Sequence, residues 1–194
     1  MINNAGVDWI GPFHEKPLTA SRREIDVNLW GCIIGTSLAL ERMLPRGTGH
    51  IVNVASANGR VPSPGSAVYG ATKYAIVGLT ESLRLEYRDS GVDFSLIHPG
   101  QTATAMLDGT VRPSKLLKVV QPEDLAESIV DAIERRRFEV WVPPETKAAV
   151  KLGGLLPRNL YERALIGLGV DKIATHVDHD QRAAYHRSQF QGQS

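Results

Sequence analysis

Short β-branched runs alternate with longer stretches of helical periodicity along this chain. Residues 50–54 (H-I-V-N-V), bounded by Gly47, Gly49 and Gly59, predict a buried strand. Two further runs read the same way: 92–97 (V-D-F-S-L-I), closed by His98-Pro99-Gly100, and 138–142 (F-E-V-W-V), stopped by Pro143-Pro144. Met1-Ile2 reads as the end of one more strand, because Asn3-Asn4-Ala5-Gly6 is already a turn. Between these lie three helical stretches. The first covers 21–44, with Ile25, Leu29, Ile33, Leu38 and Leu40 roughly in phase. It opens on a Ser21/Glu24 capping box and is stopped by Pro45-Arg46-Gly47. The second covers 66–90, with Val68, Ala71, Ala75, Leu79, Leu83 and Tyr87 in phase, and ends at Gly91. The third starts at Gln121-Pro122-Glu123-Asp124 and ends at Arg135-Arg136-Arg137, cations that suit a helix C-terminus. Residues 101–120 read as a loop. From Glu145 the pattern is of short helices separated by Gly153-Gly154 and Pro157, with a polar end expected to fray.

Strand, helix and strand in alternation imply an α/β fold: a parallel sheet with helices on both faces, a three-layer Rossmann-like arrangement. The helices over 21–44 and 66–90 are expected on the same face. Residues 1–142 form the sheet-bearing part of the domain and 143–194 a C-terminal helical extension of it. In such sheets active sites lie at the carboxyl ends of the strands. Interest therefore falls on the residues after Ile2, Val54, Ile97 and Val142.

Composition narrows the function classes. A formal net charge of +1 gives no basic patch for nucleic acid. The single cysteine, Cys32, excludes an internal disulfide and a multi-thiolate metal site, and suits a reducing, cytoplasmic setting. No apolar run is long enough for a membrane span, and the first residues do not resemble a signal peptide.

The chemistry-bearing residues cluster at the strand ends. Ser56 follows the run that ends at Val54. Tyr69 and Lys73, four apart at the start of the next helix, share one helical face. An ammonium beside a phenol favours the phenolate, so the Tyr69 pKa is expected below its ordinary value. A tyrosine tuned in this way serves as a general acid or base. Taken alone, Tyr-x-x-x-Lys reads equally as a tyrosine packed on a lysine stem.

Jointly, these spaced points resemble the classical short-chain dehydrogenase/reductase family. Asn3-Asn4-Ala5-Gly6 is similar to the family's turn after its fourth strand, and Asn28 to the asparagine of its catalytic tetrad. Ser56, Tyr69 and Lys73 match its serine and Tyr-x-x-x-Lys, and Pro99-Gly100 with Thr104 its Pro-Gly-x-x-x-Thr turn. The resemblance implies an NAD- or NADP-dependent oxidoreductase that interconverts a carbonyl and a secondary alcohol. Tyr69 would move the proton, Ser56 hold the substrate oxygen, Lys73 lower the tyrosine pKa and bind the nicotinamide ribose, and Asn28 hold a relay water. Asn3, Ala5 and Gly6 would lie near the adenosine side, and Pro99, Gly100 and Thr102 or Thr104 would flank the nicotinamide. It also implies a homodimer or homotetramer.

One departure stands out. The family's glycine-rich fingerprint is absent from these 194 residues. The expectation is that they correspond to strands four to seven of the family fold. The chain is then a truncated form, or a mis-started gene model, that binds dinucleotide poorly and is catalytically silent by itself.

Remaining candidates are weaker. His176, Asp178, His179, Asp180 and His186 read as a solvated tail rather than a metal site. His98 reads as structural. Trp9, Ile10 and Phe13 read as packing, with substrate contact as the alternative. Leu107, Val111, Leu116 and Leu117 would suit an apolar lid over a hydrophobic substrate, or simple packing on the core. The leucines between 147 and 168 suit a docked helix pair or a subunit contact better than a membrane surface.

Overall fold

The computed structural model describes residues 1–110, 118–173 and 178–190. Chain order runs β1 (Ile2–Asn3), α1 (Leu18–Glu24), a π-helical stretch Ile25–Trp30, α2 (Gly31–Met43), β2 (Gly49–Val54), α3 (Ala67–Glu86) and β3 (Val92–Pro99). It continues through α4 (Pro122–Glu134), β4 (Glu139–Val142), α5 (Glu145–Gly153), α6 (Arg158–Gly167) and α7 (His179–Phe190). The four strands form one parallel sheet in the order β1-β2-β3-β4. The expected strands are thus neighbours.

Alternation along the strands sorts the two faces. Ile51, Ala55, Phe94 and Leu96 pack against Cys32, Ala39 and Leu40 of the α2 side and Ile76 and Val77 of α3. Val52, Val54, Ile97 and Val142 pack against Ile129 and Ala132 of α4. Because helices cover both faces, the central strands are buried on both and read as continuous apolar runs.

Two helix boundaries differ from expectation. The first helix begins at Leu18 after an extended Pro17, and Ser21 lies inside it. The capping box does not form because Glu24 is spent elsewhere: it accepts from the Trp9 N–H at 2.7 Å and pairs with Lys16. The second helix ends at Glu86, and the chain turns through Gly91 at φ +78°. A Cβ there would stand 2.1 Å from the Gly47 carbonyl oxygen, so the close approach of the two loops requires glycine.

The polar positions inside the α2/α3 layer are joined. Asn3 donates to Thr36 Oγ1 (3.0 Å) and to Asn53 Oδ1 (2.8 Å), and Asn53 donates to Thr80 Oγ1 (2.9 Å). Gly35 leaves room for Asn3, since a Cβ there would meet its Oδ1 at 2.2 Å. This chain of amides and hydroxyls ties β1 and β2 to both helices. Asn53→Ala takes one hydrogen bond each from Asn3 and Thr80 and opens a gap beside the fully buried Thr80. It is expected to cost about 1–3 kcal/mol of stability, read from urea unfolding midpoints.

Candidate active site

The turn after β1 is held from below by one side chain. Asn28, buried in the π-helical stretch, accepts from the Val7 N–H (2.8 Å) and donates to the Val7 carbonyl (2.9 Å) and to Thr72 Oγ1 (3.2 Å). A π-helical turn inserted between α-helices often marks a functional site. Here it turns the amide toward the end of β1 and toward α3. Gly6 lies beside it: a Cβ there would be 3.6 Å from both Asn28 Oδ1 and Lys73 Nζ.

Ser56 begins the short 3-10 turn after β2, where its hydroxyl accepts from the Asn58 N–H at 3.1 Å. The Ser56 hydroxyl also acts on the Tyr69 phenol, favouring its ionised form against the larger effect of burial. His98, fully buried at the end of β3, places its Nδ1 3.1 Å from the Ser56 carbonyl and stacks on Trp141 at 4.2 Å. The imidazole thus supports the serine turn, in keeping with a structural His98. Lys73 donates to the Val54 carbonyl (3.0 Å), and its Nζ stands 5.5 Å from the Tyr69 ring centre. Asn28, Ser56, Tyr69, Lys73 and Gly6 therefore converge at the carboxyl ends of β1 and β2.

Other expected positions fall nearby with different commitments. The Asn3 side chain faces the α2 layer, leaving only its main chain for the open side. Ala5 lines, with Asn4, Asn28 and Val54, a cavity of about 170 Å³ at the end of β1. The Gly100 N–H donates to the Val142 carbonyl (2.7 Å), which fixes the Pro99-Gly100 turn against β4. Thr102 pairs with Val120, and Thr104 lies on an open groove of about 500 Å³ with Gln101 and Leu107. Of the lid residues, Val111, Leu116 and Leu117 lie outside the described residues, as does His176. Among the described residues no group of three metal-ligating side chains occurs. Ile10 is buried and Phe13 exposed.

The electrostatics correct one expectation. Tyr69 is pushed upward, not down: burial dominates, the Asp8 carboxylate adds to it, and the Ser56 hydrogen bond opposes both. Burial also brings Lys73 down to about 8. Desolvation outweighs the lysine–phenol attraction because both groups are almost fully covered.

The expected frayed end instead docks as α7 against the turn after β1. Within α7, Arg182 is 2% exposed and Tyr185 is 7% exposed. Arg182 donates to the carbonyls of Met106, Asp108 and Asp8. Tyr185 Oη accepts from the Asp8 N–H at 3.4 Å, and His186 stacks on Trp9 at 4.9 Å. Orphan loop carbonyls and a guanidinium satisfy each other, so a polar helix docks without an apolar stripe. By contrast, α5, α6 and the turn between them leave Leu152, Leu155 and Ile166 exposed.

Asp8, Lys16, Ser66, Arg182 and Tyr185 are site neighbours that the sequence reading did not single out, while Glu24 was read as a capping-box partner and His186 as part of a solvated tail. Asp8 carried a signal, since it follows the turn at a strand end. Arg182 and Tyr185 carried none. Asp8 is fully buried, accepts from Ser66 Oγ at 3.0 Å, and is raised to about 7 by desolvation and then by Glu24.

An open-sided parallel sheet with Ser, Tyr and Lys gathered at its strand ends defines a Rossmann-like α/β protein of the dehydrogenase type. The family model for short chain dehydrogenases matches residues 1–114. SadH of Mycobacterium tuberculosis, named as an oxidoreductase, is 33% identical over 187 residues, covering 89% of this chain and 67% of SadH. A short chain dehydrogenase from Burkholderia cenocepacia, solved with NADP, superposes with a TM-score of 0.71 at 26% identity, covering 84% of this chain and 67% of that one. One from Burkholderia phymatum, solved with NAD, gives 0.69 at 27% identity, covering 79% of this chain and 64% of that one. The chain belongs to the short-chain dehydrogenase family, and it spans about two thirds of the length of these relatives.

The buried Asp8 makes stability depend on pH with a definite sign. Its folded-state pKa of about 7 lies above the ordinary 3.8, so the folded state keeps a proton that the unfolded chain has lost. The stabilisation is complete below about 4 and is lost as pH rises through about 7. Asp8→Asn removes this dependence, while Glu24 stays in both proteins and cancels. Urea midpoints across that interval are expected to show the wild type losing ground to Asp8→Asn as pH rises; a difference that is flat or grows the other way refutes the charge burial.

Proposed function

We propose that this chain carries the reaction centre of an NAD- or NADP-dependent oxidoreductase that interconverts a carbonyl and a secondary alcohol on a small molecule. The observation that carries the reading is the gathering of Ser56, Tyr69 and Lys73 at the end of β2, with the Lys73 ammonium on the Val54 carbonyl at 3.0 Å and 5.5 Å from the Tyr69 ring. The complexes of the two solved relatives with NADP and NAD support the cofactor class.

The residues fit a nicotinamide nucleotide. Lys73 uses one of its three N–H groups on Val54, leaving others for a ribose hydroxyl. Gly6 offers main chain with no side chain in the way, and the cavity lined by Ala5 and Asn28 opens at the same strand end. Asn3, Ala5 and Gly6 would hold the cofactor from the β1 side, and Pro99, Gly100 and Thr102 or Thr104 from the β3 side. Bound there, the nicotinamide supplies or accepts the hydride.

The chain's own work is binding, orientation and proton transfer. Ser56 donates to the substrate oxygen and holds it at the Tyr69 hydroxyl. In reduction the Tyr69 proton passes to the carbonyl oxygen as the carbon gains hydride; in oxidation the phenolate takes the proton from the alcohol. A phenol pushed upward by burial is a stable proton donor, which suits the reducing direction in the closed form. Lys73 lies beside the phenolate as it forms and stabilises it. Asn28 would hold the water that links Lys73 to solvent.

Exposed Trp30, Ile34 and Leu38 on the α2 side and Tyr74 and Leu85 on α3 support a homo-oligomer built on these two helices. No helix among the described residues is long and apolar enough to cross a membrane.

Tyr69→Phe tests the reading. Turnover of secondary alcohols or ketones, followed by nicotinamide absorbance, is expected to fall by at least ~100-fold. Dinucleotide affinity by calorimetry is expected to change by less than about twofold, since the phenol's role is proton transfer. Turnover retained in Tyr69→Phe refutes the assignment.

A further inference from the structure

Next to Tyr69 the structure gathers buried polar atoms with unspent hydrogen-bonding capacity. Asp8, 5% exposed, uses Oδ2 on Ser66, and its Oδ1 has no partner. Arg182, 2% exposed, uses both terminal nitrogens on main-chain carbonyls, and its Nε has no partner. His186 Nε2 is also buried without a partner. The three belong to one contact, where α7 meets the turn after β1. Buried polar atoms are nearly always paired, so three orphans beside a reaction centre point to a ligand.

Their chemistry selects the ligand. Asp8 Oδ1 accepts, Arg182 Nε–H donates, and His186 Nε2 takes either role according to its tautomer. An anionic group would meet the carboxylates of Asp8 and Glu24, and an ammonium would meet Lys16 and Arg182. A neutral hydroxyl donates to the one side, accepts from the other and brings no charge. Tyr185 already holds a hydroxyl beside these atoms, since its phenolic oxygen accepts from the Asp8 main-chain N–H, and 3.4 Å is a loose bond that a ligand hydroxyl can replace.

We propose that Asp8, Arg182 and His186 form a subsite for a second hydroxyl of the substrate, so that the protein takes diols and hydroxyketones in preference to wholly apolar mono-alcohols. The proposal rests on Tyr69 as the group that faces the reacting carbon. It makes Asp8 a specificity-determining residue and α7 a wall of the substrate pocket. The Tyr185 phenol, which now lies on the Asp8 N–H, must yield when a ligand hydroxyl enters.

Titration of the 194-residue chain with trans-cyclohexane-1,2-diol and with cyclohexanol, followed by NMR, reads the subsite without turnover. The diol is expected to bind at least ~10-fold more tightly, the scale of a hydrogen bond to a charged group. Asp8→Ala is expected to erase the difference while leaving cyclohexanol binding within about twofold. His186→Phe, which keeps the stack on Trp9 and removes Nε2, is expected to reduce it and decides the matter if Asp8→Ala does not fold. Equal binding of the two probes by the wild type, or a preference unchanged in the folded variants, overturns the proposal. A diol preference that Asp8→Ala removes, in a protein whose Tyr69→Phe form still turns over, upholds the subsite and refutes only the role given to Tyr69.

Discussion

The Asn28 carboxamide is the joint on which the site depends. It grips both main-chain groups of Val7 and reaches Thr72 on α3, so one side chain sets the turn after β1 against the helix that carries Tyr69 and Lys73. The π-helical stretch brings it there. An unbroken α-helix from Leu18 to Met43 would rotate position 28 by the missing fraction of a turn and direct the amide elsewhere. The cost of that irregular turn is accepted because two buried main-chain groups are satisfied at once. Gly6 lies at the joint, within contact distance of both this amide and the Lys73 ammonium.

Above the joint the site is polar to an unusual degree. Asp8, Glu24, Lys16 and Arg182 share one buried neighbourhood, two acids against two bases. Burial penalises each charge, and each is tolerated only through its partners. Lys16 and the Trp9 N–H serve Glu24, Ser66 serves Asp8, and three loop carbonyls serve Arg182. Ser66 shows the exchange plainly. It stands at the N-terminus of α3, where a serine ordinarily caps the helix, yet its hydroxyl goes to Asp8.

The strands and the Ser56, Tyr69, Lys73 constellation were legible because each rests on local signals. β-branched runs end at glycine or proline, and a four-residue spacing on a helix fixes a shared face whatever the rest of the chain does. The capping box failed because Glu24 has a partner fifteen residues upstream in Trp9, and no local rule sees that. The π-helical stretch was hidden for a similar reason, since its turn is set by the contact with Val7. The docked α7 was the largest omission. Its surface is polar and it lacks the apolar stripe by which a buried helix is recognised, because it is held by a guanidinium on backbone carbonyls and by stacked rings rather than by an apolar face. The direction of the Tyr69 shift was missed because it depends on burial: a phenol beside a lysine in open water ionises more easily, and a buried one near the Asp8 carboxylate does not.

Docking a polar helix against the turn beside a reaction centre has a consequence that an apolar contact would not have. An apolar lid gains from closing over any apolar substrate and discriminates only by size. A lid that closes through Arg182, Tyr185 and His186 brings donors and acceptors down on the substrate, and each must find a partner or remain buried without one. Substrates that lack such groups therefore close the site at a penalty, and substrates that carry them close it without one. On the proposed subsite, selectivity then resides where α7 meets the turn after β1, because Asp8, Arg182 and His186 each hold a buried polar atom there that only a hydrogen-bonding ligand can satisfy.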